Sequence, residues 1–149
     1  MNMAQLITED LINLQLNGCH KEEVLDEMIQ MLDRAGVLID ASRFREAVIE
    51  REKQGHTGIG FGIAIPHGKS DAVKTPRVAF GMKKEGLVWD SSGEKVQLVF
   101  LIAVPEKQAG NEHLQILRLL AQKLIDEKFR NALQEVATKE KALQLLAAV

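Results

Sequence analysis

Along the chain the spacing of hydrophobic and polar positions changes period repeatedly, and each change predicts a different element. Leu11 to Leu16 alternates, with Ile12, Leu14 and Leu16 on one face of a short strand. Residues 21–35 switch to helical spacing. Val24, Leu25, Met28, Met31 and Leu32 share a face, and Gly36 is the stop. A second helix is predicted from an Asp40 cap to about Glu52, burying Phe44, Ala47 and Val48, with Gly55 closing it.

The middle of the chain loses the helical period. Gly58, Gly60 and Gly62 alternate ahead of Ile63-Ala64-Ile65, a short buried strand ending at Pro66. Residues 77–83 and 96–104 read as further strands. The second of these is nearly continuous in apolar residues and so belongs in the sheet's interior. Gly86 and the run Asp90-Ser91-Ser92-Gly93 supply turns between them. Helical spacing returns from Asn111 through Leu114, Leu117, Leu120, Ala121 and Leu124. A shorter piece around Phe129 and Leu133 follows, and Thr138 caps a last helix carrying Ala142, Leu143 and Leu146. Helices at both ends of a strand-rich centre predict an α/β fold with a mixed sheet. With no repeat, low-complexity tract or linker-like shift, residues 1–149 read as a single domain.

Composition narrows the classes of function. Lys plus Arg number 19 against 21 Asp plus Glu, a net charge of −2, which argues against a nucleic-acid partner. No apolar run approaches the ~20 residues that span a bilayer. The lone Cys19 cannot form an internal disulfide, and the expected location is the cytoplasm.

Candidate chemistry centres on Gly58-Ile-Gly-Phe-Gly-Ile-Ala-Ile-Pro-His67-Gly. Pro66 fixes a backbone angle ahead of His67, and Gly68 permits close approach of backbone or a ligand behind it. The imidazole is thus presented at a sheet edge with little freedom. A histidine that merely hydrogen-bonds at a strand end is the structural alternative. The glycines do not make a nucleotide cradle. A dinucleotide fingerprint is G-x-G-x-x-G after a strand, whereas here G-x-G-x-G precedes one. His113 falls in the first turn of a helix, where the dipole favours neutral imidazole and attracts anions. His56 and His20 read as surface residues. The spacings HxxxH, HExxH, CxxC and G-x-S-x-G are absent, so zinc and serine-hydrolase signatures are missing.

The run Arg51-Glu52 … Gly55-His-Thr-Gly-Ile-Gly60 … Gly62-Ile-Ala-Ile-Pro-His67-Gly-Lys69 resembles the signature of phosphotransferase-system enzyme IIA domains of the fructose–mannitol class. Val99-Phe-Leu-Ile-Ala-Val-Pro105 … Glu112-His113-Leu114 … Leu117 is similar to that family's second block, and the resemblance spans about Leu6 to Leu146. Trp89-Asp90 … Gly93 … Val96-Gln-Leu-Val-Phe-Leu-Ile looks most like fructose-type members. His20, where a hydroxyl cap is expected, is the departure from the pattern.

The resemblance implies a mannitol-type enzyme IIA-like fold, a mixed sheet with helices on both faces. It also implies roles: His67 as the phosphorylated histidine, His113 as the second active-site histidine, and Arg51 lining the site. Thr57 is a further candidate hydroxyl donor. The implied phosphate donor is the phosphocarrier protein HPr and the implied acceptor a cysteine of a IIB domain, with no cofactor and no metal. Association with the membrane is then indirect, through separate IIB and IIC chains. Two other functions stay open at this level. One is a nitrogen-type regulatory phosphoprotein using the same histidine. The other is a metal-dependent hydrolase using His67 and His113.

Overall fold

A computed structural model of the chain describes residues 2–107 and 111–149. Two 3₁₀ turns, Met3–Gln5 and Glu9–Leu11, lead into β1 (Ile12–Asn13). Then follow α1 (Lys21–Arg34), α2 (Ala41–Gln54), β2 (Gly58–Gly60), β3 (Ile63–Ala64), β4 (His67–Ser70), β5 (Arg77–Val88) and β6 (Lys95–Pro105). Three helices close the chain: α3 (Glu112–Leu124), α4 (Glu127–Glu135) and α5 (Lys139–Ala147). The sheet order is β1-β5-β6-β3-β2, with β4 also on β6. It is mixed, because β5 and β2 run antiparallel to β6 and β3, while β1–β5, β3–β6 and β4–β6 are parallel. Residues 98–104 of β6 are all buried, as the continuous apolar run predicts for a central strand. Among the described residues no helix is long and apolar enough to cross a membrane.

Helix ends follow local chemistry. Asp40 accepts a hydrogen bond from the Arg43 N–H at the start of α2, and Thr138 accepts one from Lys141 at the start of α5. His20 caps α1 without a side-chain bond. Glu23 and Glu27 compensate by reaching back to the N–H groups of Cys19, Gly18 and Asn17. Along α1 the buried positions are Val24, Leu25, Met28, Ile29 and Leu32, so Ile29 takes the core place assigned to Met31, which is half-buried. Ala47 of α2 is likewise half-buried.

Three strand expectations need correction. The alternation over Leu11–Leu16 yields only two residues of strand, because the Asn13 side chain accepts the Gln15 N–H and turns the chain out of the ladder. Leu16 rejoins the sheet through its N–H to the Met82 carbonyl. Gly86 does not end a strand. Its φ of +76° absorbs a register shift between Met82 and Leu87, and β5 runs on to Val88. Finally, the strand predicted to end at Pro66 is only interrupted there. Ile63 and Ala64 pair with Leu98 and Val99, and His67 resumes the same register opposite Ile102. Proline has no N–H to give the ladder, yet its carbonyl still accepts from Ile102 at 3.0 Å.

That resumed strand sets the two faces of the sheet. A side chain at Gly68 would place its Cβ 2.8 Å from Phe44 and Val48, so α2 packs against β4 through a gap that only glycine leaves. The neighbouring His67 points to the opposite face by the pleat. There it meets His113 in the first turn of α3. Helices therefore cover both faces.

Candidate active site

His67 opens β4 half-buried, with its Nδ1 3.3 Å from the Ile65 carbonyl oxygen. A carbonyl only accepts, so Nδ1 carries the hydrogen and the lone pair of the neutral ring sits on Nε2. Burial pushes the His67 imidazole below the usual histidine range. The positive charge of Arg51 and the neighbouring His113 push the same way, while the bond to Ile65 and the Glu52 carboxylate partly oppose. His113 lies with its ring centroid 5.9 Å from that of His67, the planes 28° apart. It is also held below the usual range, by burial and by Lys69. Its Nδ1 is buried with no hydrogen-bond partner among the described residues.

Arg51 and Glu52 come from the last turn of α2. Arg51 donates to the Gly55 carbonyl at 3.3 Å, covering its own helix terminus beside His67. Two half-buried neutral imidazoles, one with a free Nε2, and a guanidinium whose charge reaches His67 suit a nucleophile that receives an anionic group. Phosphoryl transfer asks for this, since positioning and charge compensation do most of its work. No group of three or more His, Cys, Asp or Glu side chains converges as a metal site among the described residues.

Residues 5–149 match the family described as the phosphoenolpyruvate-dependent sugar phosphotransferase system, EIIA 2. The chain belongs to this family. It is 40% identical over 147 residues to the fructose-specific EIIABC component of Bacillus subtilis, covering 98% of this chain but only 23% of that relative. It is 38% identical over 141 residues to the fructose-specific EIIA component of Haloferax volcanii, covering 94% of this chain and 91% of the other. Among solved structures, the nitrogen regulatory protein IIA-Ntr of Neisseria meningitidis superposes with a TM-score of 0.87 at 30% identity, covering 96% and 97% of the two chains. The Escherichia coli mannitol enzyme IIA, in its complex with phosphorylated IIB, gives 0.84 at 27% identity over 96% and 98%. The family makes the chain a phosphotransferase component of enzyme IIA type, and its fold is that of the mannitol-type enzymes IIA.

Of the three residues singled out from sequence in this enzyme IIA chain, His67 and His113 come together, and Arg51 lies near enough for its charge to act on His67. Thr57 does not join them as a donor. The residue is 3% exposed, and its hydroxyl gives its one proton to Glu52 at 2.9 Å and accepts the Trp89 indole N–H at 3.0 Å. His56 stays exposed but pairs with Asp90 at 3.3 Å. Cys19 is exposed and free. The glycine stretch is a β2–β3 hairpin with Phe61 and Gly62 at positive φ, a structural turn rather than a cradle.

Sequence reasoning missed Glu52 and the Ile65 carbonyl. A signal for Glu52 existed: Phe44, Val48 and Glu52 follow at four-residue steps, so a carboxylate stands where the helical period demands an apolar residue.

Proposed function

We propose that this enzyme IIA chain carries a phosphoryl group on Nε2 of His67, taken from phospho-HPr and passed to a IIB-domain cysteine for uptake of a fructose-type sugar. In the first step Nε2 attacks phosphorus as the P–N bond of the donor breaks. In the second a cysteine thiolate attacks and Nε2 leaves. Neutral imidazole is the reactive form, which the lowered His67 pKa supplies without a separate base. Arg51 turns from the Gly55 carbonyl to the phosphoryl oxygens, and His113 lies close enough to His67 to share their charge.

The observation that carries the carrier role is the contact of His67 Nδ1 with the Ile65 carbonyl, which leaves Nε2 free beside His113. The fructose reading is supported by the two fructose-specific relatives, and a IIB partner by the mannitol enzyme IIA solved together with phosphorylated IIB. A second reading, in which the same phosphohistidine governs binding to other proteins, is consistent with the similarity to the nitrogen regulatory protein.

One experiment separates them. The chain is incubated with phosphoenolpyruvate, enzyme I and HPr, its acid-labile adduct is mapped, and IIB domains are then added. The sugar-uptake reading expects the label on His67 and its rapid transfer to a IIB cysteine. Label that stays on His67 with every IIB domain tried supports regulation, and label elsewhere removes both readings.

A further inference from the structure

Among the described residues, Glu52 is a carboxylate with a buried side chain near His67 that the transfer steps leave unused. Its side chain is 6% exposed and its Oε1 accepts from Lys21 Nζ at 3.1 Å and from the Thr57 hydroxyl at 2.9 Å. Its Oε2 is buried with no partner among the described residues. A carboxylate in such a place contributes little to stability, because an apolar side chain continuing the Phe44–Val48 stripe avoids the desolvation. Its use therefore has to be sought in what it holds.

Thr57 is fixed on every side. The hydroxyl donates to Glu52 and accepts from Trp89, and the main-chain carbonyl accepts the Ile65 N–H at 2.9 Å. Ile65 in turn offers its own carbonyl to Nδ1 of His67. An unbroken run of contacts thus leads from a half-buried ion pair to the imidazole: Lys21, Glu52, Thr57, Ile65, His67. Each link acts on the next by geometry alone. The carboxylate anchors Thr57, Thr57 sets where the Ile65 peptide lies, and the Ile65 carbonyl decides which ring nitrogen of His67 keeps its proton.

We propose that Glu52 is a positioning residue for phosphoryl transfer, holding Thr57 and, through the Ile65 carbonyl, the His67 imidazole with Nε2 free. The proposal rests on His67 being the phosphoryl acceptor. It differs from a purely structural role, in which the Lys21–Glu52 pair only ties α1 to α2. A structural tie affects melting. A positioning chain also affects the tautomer and the rate at saturating donor, with little effect on donor affinity.

The test uses the full chain as Glu52→Gln, Thr57→Val and Thr57→Ser. The His67 tautomer is read by ¹⁵N NMR, and single-turnover transfer is followed from phospho-HPr. Thr57→Val and Glu52→Gln should mix the two tautomers and slow saturated transfer roughly 10- to 100-fold, the scale of a small misplacement of reacting groups. Thr57→Ser, which keeps the hydroxyl, should restore both readouts. If Glu52→Gln does not fold, the valine–serine pair decides alone. Wild-type tautomer and rate in Thr57→Val overturn the proposal, even if that variant melts earlier. A wild-type chain that takes no phosphate on His67 overturns the carrier reading and this role with it. A wild-type chain that does, beside unaffected variants, removes only the role of Glu52.

Discussion

The two halves of the site are built by different means. On the strand side, His67 is the first residue of β4, tied by Nδ1 to a carbonyl two residues back in its own chain. On the helix side, His113 stands in the first turn of α3, its Nδ1 buried and without a partner among the described residues. The rings lie 5.9 Å apart, yet only one has its tautomer set by the protein. The difference teaches a division of labour. On the proposed mechanism the nucleophile is organised in advance, whereas the groups that answer the phosphoryl charge engage as that charge arrives. Arg51 belongs with the second set, since its contact with the Gly55 carbonyl is exposed to solvent, whereas that of His67 with Ile65 is partly buried.

The hardest test of this division is His67→Ala, which should abolish phosphate acceptance from phospho-HPr while circular dichroism stays that of the wild type. Mass spectrometry under conditions that preserve acid-labile adducts is the measurement. A fully labelled alanine variant would show that the strand side is not where phosphate goes.

His113→Ala tests the other half. Losing one preorganised donor costs on the order of 10²–10³ in rate where water is excluded, and the phosphorylation site itself should survive. Single-turnover transfer at the wild-type rate in this variant would make the helix-side histidine a packing residue only.

Much of this arrangement is legible in the amino-acid sequence alone. Caps at Asp40 and Thr138, the central β6 and the presentation of His67 between Pro66 and Gly68 all follow from local chemistry, because each is decided within a few residues. What escapes is decided across the sheet. Gly86 reads as a turn, but a bulge absorbs it, and a bulge is a property of two paired strands. Pro66 reads as an end, but β6 supplies the register on both sides of it. Thr57 reads as a free hydroxyl because its partners, Glu52 and Trp89, meet it only in the fold. Gly68 reads as room for backbone or a ligand, and the room is taken by α2.

Arg51→Lys should have a smaller effect. Lysine keeps the charge at the end of α2 but lacks the planar fork that grips phosphate through two N–H groups. Loss of one charge-assisted hydrogen bond, about 1.5 kcal/mol, corresponds to about tenfold in transfer rate. The melting temperature should scarcely move. If the lysine variant melts earlier and transfers normally, the arginine belongs to the helix terminus and not to the site.

The smallest expected effect is in the titration of His67, and it bears on the comparison most finely. Burial comes first among the causes that lower its pKa, with Arg51 and His113 adding to it. The neutral ring should therefore persist below about 6.5, the value of a free histidine. Acceptance of phosphate should hold its plateau as pH falls through that value and decline only as pH passes through the lowered one. The same shift acts on stability with a definite sign. Between the two values the unfolded chain binds a proton at this position that the folded chain does not, so stability declines as pH falls across that window. Arg51→Gln removes one of the lowering charges and should move the His67 titration upward, leaving the larger share caused by burial in place. Carbon-bound ring proton shifts of His67, followed by NMR against pH, provide the measurement. A titration of wild-type His67 at or above 6.5 would mean that the strand side does not hold its imidazole neutral, and its advance organisation would then rest on tautomer alone.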